Sequence, residues 1–537
     1  MKFKNSCTLL LCLFVSIFSL NAQTFKAGKP NWQNLDLEED GVFGISTEKV
    51  YNEFKKPKKS DTVIVAVIDG GIQVDHEDLK NVMWVNSGEI PGNGIDDDQN
   101  GYVDDIYGWN FIGNANGENI QYDNLEVVRL IRDLKPKYRS VLPSTPLSEA
   151  DKKEFQTYQT MVSDYMSKLE QAQMGNMNMT HIKSILDSII QVVGEHPTYT
   201  DLNKFKANNR MESRVLQIVK SEMNGGSSFQ DVRDDIMEGY EYYKNQIDYH
   251  LNMAYDSRIL VGDDYNNSEQ RVYGNGDVEG PDAIHGTHVA GIIGADRTND
   301  LGMKGVADQV KIMAVRVVPD GDERDKDVAN GIRYAVDNGA KVINMSFGKA
   351  YVKDKAVVDS AIKYAMAKDV LLVHAAGNDT ENVDVKDNFP SRYFTDSLGM
   401  SVGTADAWIE VGALSWNSSD FVASFTNYGK KSVDVFAPGV DIYSTVPSSE
   451  YKELSGTSMA APVVSGLAAL LRSRFPKFTA VEIKSIILES VIKPTQKVKL
   501  SVNGSNQRFD FSDLSITGGV VNAYKAIELA TSRYKGK

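Results

Sequence analysis

The sequence predicts an α/β protein whose doubly wound, mainly parallel sheet is interrupted by a large helical insertion. Three observations lead there. Nearly continuous, β-branched runs (DTVIVAVIDGG at 61–71, KIMAVRVV at 311–318, KVINMS at 341–346, DVLLVHAAG at 369–377 and WIEVGAL at 408–414) have the composition of strands buried on both faces. Amphipathic stretches such as 327–338 and 354–368 alternate with the later runs, which is the rhythm of strand-helix-strand units. From about 113 to 281 strand-like runs give way to helical periodicity. In doubly wound sheets ligands bind at the carboxyl ends of the strands, so chemistry is expected where these runs end.

The chain begins with Lys2 and Lys4, an apolar run to Leu20, and Ala22, the plan of a secretory leader over 1–22. The run is too short, and its sequel too polar, for a good membrane anchor. The only two cysteines, Cys7 and Cys12, lie inside it, so the remainder has neither a disulfide nor a catalytic thiol. With 42% hydrophobic and 24% charged residues in 537, the composition is that of a globular protein. A net charge of −15, with no basic cluster, disfavours nucleic acid as a partner.

After a linker-like stretch to about 32, a short helix is expected at 47–54, then the first buried strand. Within 113–281, Ser148 and Asp151 resemble a capping box opening a helix with Phe155, Tyr158, Val162, Tyr165 and Leu169 on one face. A second stripe comprises Ile182, Ile185, Leu186, Ile189, Ile190 and Val193, and a third Val232, Ile236, Tyr243 and Ile247. These stripes read as the core faces of a helical subdomain in preference to membrane- or ligand-binding surfaces.

Three segments carry chemistry. In LSGTSMAAPVVSGLAALL, small residues surround Ser458 just before an apolar helix. That places its hydroxyl near a helix N-terminus, where backbone N–H groups favour developing negative charge. Pro462 is tolerable only near such a start. A serine is a weak nucleophile without a base, and among seven histidines His285, in DAIHGTHVAGIIGA, heads a helix rich in glycine and alanine. His288 lacks the further ligands a metal site would want and reads as packing. Asp69 ends the first buried strand, where a carboxylate can fix an imidazole's tautomer.

Together VIVAVIDGG, HGTHVAGIIGA and SGTSMAAP, in the order Asp, His, Ser, resemble the three signatures of the subtilisin-like serine proteases, peptidase family S8. FVASFTNYGKKSVDVFAPG at 421–439 and VVNAYKAI at 520–527 extend the likeness, which covers roughly 40–112 and 282–530. The resemblance implies Asp69, His285 and Ser458 as catalytic triad, and Asn378 in HAAGN as oxyanion donor. It implies an edge strand of Ser346, Phe347 and Gly348 that pairs with substrate, and Ala375, Ala376 and Gly377 as the other wall of the first specificity pocket. Gly70 replaces a common Ser or Thr, and Lys349 stands where a second glycine is common; the second departure bears on pocket preference. The resulting organisation is a leader at 1–22, an N-terminal segment at 23–60, a peptidase domain in two parts, 61–112 and 282–537, and the helical insertion at 113–281. The family usually carries a folding-assisting prodomain, for which 23–60 is short. An exported endopeptidase acting on extended polypeptides is expected, with the insertion as a lid or selectivity element. The alternative is a catalytically idle scaffold that binds a partner through the insertion.

GNGIDDDQNGYVDD at 92–105 crowds Asp96, Asp97, Asp98, Asp104 and Asp105 around Asn100 and Gly101. Asp96, Asp98, Asn100 and Gly101 follow the beginning of a calcium loop, with Asp104 as a further oxygen donor. The twelfth position is Tyr107, so this is no EF-hand. The two readings are a structural Ca2+ site, which would suit an exported protein without disulfides, and a solvated acidic turn.

Overall fold

The computed structural model describes residues 30–54, 60–142, 144–396, 400–417, 420–502 and 504–534; the leader expected at 1–22 lies outside them. The described chain forms two compact units, one of 28–126 with 256–537 and one of 127–255.

The first unit is built on a seven-stranded sheet. Its strands are β1 (Val63–Asp69), β2 (Gly108–Asn110), β3 (Val310–Arg316), β4 (Val342–Met345), β5 (Leu371–Ala375), β8 (Trp408–Leu414) and β9 (Val435–Pro438), while β6 (Tyr393–Thr395) and β7 (Ser401–Thr404) form a separate hairpin. The order is β2-β3-β1-β4-β5-β8-β9 and every pairing is parallel, the doubly wound α/β arrangement. From β1 the chain goes to β3 on one side and then to β4 on the other, so the order reverses beside the strand that ends in Asp69.

Side-chain alternation decides which face Asp69 serves. Val63, Val65 and Val67 lie in the core cluster that holds the helices Ile284–Gly294 and Thr457–Arg474. Ala66 and Ile68 point into the opposite cluster, with the helices Asp325–Asp337 and Lys355–Ala367. With a period of two, Asp69 falls on the face of Val63, Val65 and Val67, under the helices that carry His285 and Ser458. The helices expected at 327–338 and 354–368 form at Asp325–Asp337 and Lys355–Ala367, the latter capped by Asp354 accepting from Val357 N. A hairpin of β10 (Ile442–Val446) and β11 (Glu450–Leu454) leads into the helix Thr457–Arg474.

The helical unit is narrower than the 113–281 read from the sequence. Residues 113–126 and 256–281 belong to the peptidase unit, where buried polar ties hold them: Asn110 and Asn275 exchange backbone hydrogen bonds, Arg324 pairs with Asp123, and Arg258 with Asp263 and Asp327. Such ties leave no periodicity to read. Within 127–255 a single 45-residue helix, Glu149–Val193, carries both the first and the second stripe, and Ser148 accepts from Asp151 N at its start. Ile185, Leu186 and Ile189 pack with Leu202, Val215, Val219, Phe229, Val232 and Ile236 as one apolar core. The first stripe is only half-buried, with Phe155 and Tyr158 against Tyr138.

Candidate active site

Asp69 ends β1 with its side chain 4% exposed. Gly70 N donates to its Oδ1 at 2.7 Å, and His285 Nδ1 lies 2.8 Å from the same oxygen. An ionised carboxylate can only accept, so Nδ1 carries the proton and Nε2 is the basic nitrogen. Oδ2 is buried without a hydrogen-bond partner among the described residues. His285 is the second residue of the helix Ile284–Gly294, and its side chain is 43% exposed. Burial pulls its pKa down, but the charge and hydrogen bond of Asp69, with Asp282 behind them, outweigh this and raise it above the ordinary 6.5. The helix must approach closely for that contact: a β-carbon on Gly286 would lie 2.2 Å from Gly71 O and 3.2 Å from Asp69 Cβ.

His288, one turn on, does something else. Its Nε2 donates to Ile442 O at 2.8 Å and Lys452 O at 3.0 Å, and burial draws its pKa down to about 4. It is a neutral tie between this helix and the β10–β11 hairpin.

Ser458 is the second residue of the helix Thr457–Arg474 and is half-buried. Its hydroxyl donates to Ser346 O at 3.0 Å, and Ser346 Oγ donates to Ser458 O at 2.9 Å. The second bond has a cause in the sequence. Pro462 has no N–H to give the carbonyl four residues before it, and Ser346 supplies the missing donor. Asn344, buried in β4, locks the pair by donating to Ser346 Oγ at 2.9 Å and accepting from Ser465 Oγ at 2.8 Å.

Asn378 follows β5 and is exposed. Thr457 donates to its Oδ1 twice, from N at 2.9 Å and from Oγ1 at 3.0 Å. With the oxygen so engaged, the side chain presents its Nδ2 donor. A β-carbon on Gly456 would sit 3.6 Å from Asn378 Nδ2 and 3.5 Å from Ser458 N, so the glycine keeps clear the space beside two donors. Ser458 N is one of the first N–H groups of a helix, which have no intrahelical acceptor.

Ser346, Phe347 and Gly348 continue past the end of β4 without joining a named strand, and Lys349 beyond them pairs with Phe389. Ala375 and Ala376 are buried, and Gly377, at φ 101°, carries the chain to Asn378. Asn427 donates to Ala376 O at 2.9 Å and fixes this segment. Arg316, next to Asp69 in register on β3, donates to Gly70 O at 2.6 Å, to Asn110 Oδ1 and to Ile120 O, and burial lowers its pKa to about 10. Arg316, Asn344 and Thr457 were not singled out from the sequence; only Thr457, inside the Gly-Thr-Ser string, stood beside a signal that could have found it.

In the acidic loop the structure converges Asp96 and Asp98 with Glu89, their carboxylate oxygens within 4.8 Å of one another. Glu89 was not foreseen, lying seven positions ahead of Asp96. Asp104 turns to another task, its oxygens accepting from the backbone N–H groups of Gly92, Asn93 and Gly94. Asn100 Nδ2 donates to Asp98 and Asp105.

A sheet whose carboxyl ends bring an aspartate-bound histidine, a helix-tip serine and an oriented asparagine to one face is the framework of a serine hydrolase. Residues 60–512 match the Subtilase family, and the chain belongs to that family of serine-type endopeptidases. It is 37% identical over 244 residues to the thermophilic serine proteinase of Bacillus sp. (strain AK1), a match covering 45% of this chain and 52% of the relative. To thermitase of Thermoactinomyces vulgaris it is 36% identical over 245 residues, 45% of this chain and 75% of that one. A solved protease from Pseudoalteromonas arctica PAMC 21717 is 28% identical, with coverage of 48% and 79% and a TM-score of 0.38. The match thus spans about half the length of the first of these relatives.

Proposed function

We propose that the chain is an exported endopeptidase that cleaves extended polypeptides with Asp69, His285 and Ser458 as triad and Asn378 as oxyanion donor. The observation that carries this is the 2.8 Å bond from His285 Nδ1 to Asp69 Oδ1, in a unit where Thr457 both precedes the serine and fixes the Asn378 oxygen.

The steps follow from these atoms. For reaction the Ser458 hydroxyl turns from Ser346 O, its partner in this structure, to His285 Nε2, a hydrogen bond of the kind that often forms fully only when substrate binds. Nε2 takes the hydroxyl proton as Oγ attacks the scissile carbonyl carbon, and Asp69 stabilises the imidazolium so formed. The carbonyl oxygen, now an anion, accepts from Asn378 Nδ2 and Ser458 N. His285 returns its proton to the leaving amine as the C–N bond breaks, and water then releases the acyl group from Ser458 by the same sequence. Extended chains suit a site walled by the backbone at 346–348.

The charged leader read at 1–22 supports export, and no described helix is long and apolar enough to cross a membrane. For the acidic loop we infer a structural divalent cation held by Glu89, Asp96 and Asp98; the approach of three carboxylates within 4.8 Å supports it, and calcium, which takes oxygen donors in flexible geometry, suits such a set. Its contribution would be to the fold and not to the reaction.

Covalent labelling by a fluorophosphonate tests the enzyme reading. The wild type should label and Ser458→Ala should not. A wild type that fails to label, with or without calcium, would leave the idle-scaffold reading in its place.

A further inference from the structure

Lys349, where the sequence departs from the family pattern, has a side chain only 1% exposed. Its Nζ lies 2.8 Å from Glu126 Oε2 and 2.8 Å from Asp325 Oδ1, whose side chains are 0% and 5% exposed, and donates to Glu323 O at 2.7 Å. The partners are themselves fixed. Asp325 Oδ2 accepts from the backbone of Lys353 and Asp354, and Glu126 N donates to Asp322. Burial pushes the Glu323 carboxyl up to about 8, against the pull of Lys349. Burial thus favours the protonated form of Glu323, while the ammonium lies within ion-pair distance of both Glu126 and Asp325.

The backbone around Lys349 links the two walls named above. Lys349 and Phe389 exchange hydrogen bonds of 2.9 Å in both directions. Beside Phe389, Asn388 donates to Ala376 O at 3.2 Å and to Ala375 O at 3.4 Å, and a β-carbon on Gly348 would meet its Oδ1 at 2.5 Å. The segment 388–389 thus touches the wall at 346–348 through Lys349 and the wall at 375–377 through Asn388. A buried ion cluster adds little net stability but fixes geometry firmly, because only one arrangement satisfies all its charges.

We propose that Lys349, Glu126 and Asp325 are positioning residues for the first specificity pocket, setting the separation of its walls and so the preference for the substrate side chain before the scissile bond. Glu126 is the last residue of the peptidase unit before the helical unit. Part of the pocket's geometry is therefore held by the residue at which the insertion starts, outside the family motifs. The inference rests on the endopeptidase reading.

The test compares the wild type with Glu126→Gln and with the triple variant Glu126→Gln/Asp325→Asn/Lys349→Met, which removes all three charges and leaves none of them unpaired. Three quantities are read: fluorophosphonate labelling rate, melting temperature, and kcat/KM over peptides differing only in the residue before the cleaved bond. Labelling needs the triad but no such side chain, and it should stay within about twofold. The spread between best and worst peptide should shrink about tenfold or more, mainly through KM, since small displacements of a binding wall are costly. A merely structural role would lower the melting temperature and leave the ranking alone. Unchanged ranking in a folded variant overturns the inference while the enzyme reading stands, as does unfolding of both variants, which would assign the cluster to stability. A wild type that neither labels nor cleaves removes both.

Discussion

The peptidase unit and the helical unit use charge differently. In the first, ion pairs lie in the interior: Arg258 with Asp263 and Asp327, Arg324 with Asp123, Lys349 with Glu126 and Asp325, all but one of these side chains at most 5% exposed. In the second, pairs such as Lys183 with Asp187 and Lys244 with Asp248 sit on the surface at helical spacing, and the core is apolar. Surface pairs contribute little, and an apolar core tolerates exchange of one side chain for another of similar volume. Buried polar networks tolerate neither a missing partner nor a shift. The peptidase unit is therefore built for fixed atomic positions, and the helical unit for bulk.

The sharpest break of that comparison is in the reacting atoms. Ser458→Ala should lower kcat by about 10⁶-fold, as is general for such triads, and Asp69→Asn by about 10⁴-fold, because the imidazole loses its tautomer. Asn378→Ala should cost about 10²–10³-fold. Steady-state kinetics on one peptide checks all three, and a loss below tenfold at Asn378 would remove it from the oxyanion site. The raised pKa of His285 adds a pH signature. Ser458 needs the neutral imidazole, so kcat/KM should climb with pH through a midpoint above 6.5, and an active variant that lacks the Asp69 charge should shift that midpoint down. Stability runs the other way. A histidine whose folded pKa is raised contributes its full stabilisation below the unfolded value, and loses it as pH rises through the folded one.

How far this was legible in the sequence follows the same division. Asp69, His285 and Ser458 could be proposed because the chemistry asks for those residue types next to small neighbours at strand and helix ends, and Asn378 only through the family resemblance. Asn344 and Arg316 could not, since a buried polar residue inside an apolar strand has no pattern beyond itself, and Ser465, the partner of Asn344, and Gly70 and Asn110, the partners of Arg316, are distant in sequence. The strand β2 has three residues, too few for periodicity. The helical core at Ile185, Leu186 and Ile189 was readable from spacing alone. The bounds of that unit were not, because 113–126 and 256–281 are held by pairwise contacts that spacing does not encode.

A smaller effect is expected in the helical core. Ile189 is fully buried among Leu186, Val219 and Ile236, and Ile189→Ala should cost about 2–5 kcal/mol from lost burial and the cavity left behind. If bulk is what this unit requires, Ile189→Val should cost only about 0.5–1.5 kcal/mol, and neither change should alter fluorophosphonate labelling at temperatures where the protein remains folded. Thermal unfolding followed by far-UV circular dichroism, with labelling at each temperature, reads both. Labelling lost in parallel with the helical transition would break the distinction drawn between the units.

The smallest effect concerns the acidic loop, which lies in the peptidase unit but resembles a surface cluster. Glu89 is buried and accepts from Asp97 N, Asp98 N and Asp104 N, while Asp96 accepts from Asn100 N and Gly101 N. Backbone N–H groups thus already offset part of the carboxylates' repulsion, and a cation has only the remainder to supply. For a ligand bound to the folded state at a hundred times its Kd the gain is about 2.7 kcal/mol, equivalent to a rise of a few degrees in Tm in a chain of this size. Calcium should therefore raise Tm by that amount over a chelator control, and Asp96→Asn/Asp98→Asn should abolish the difference while leaving the chelated protein near its original Tm or above it, because two like charges are gone. A chelated wild type that melts at the same temperature as the calcium-loaded one would make the loop a solvated turn whose N–H donors suffice.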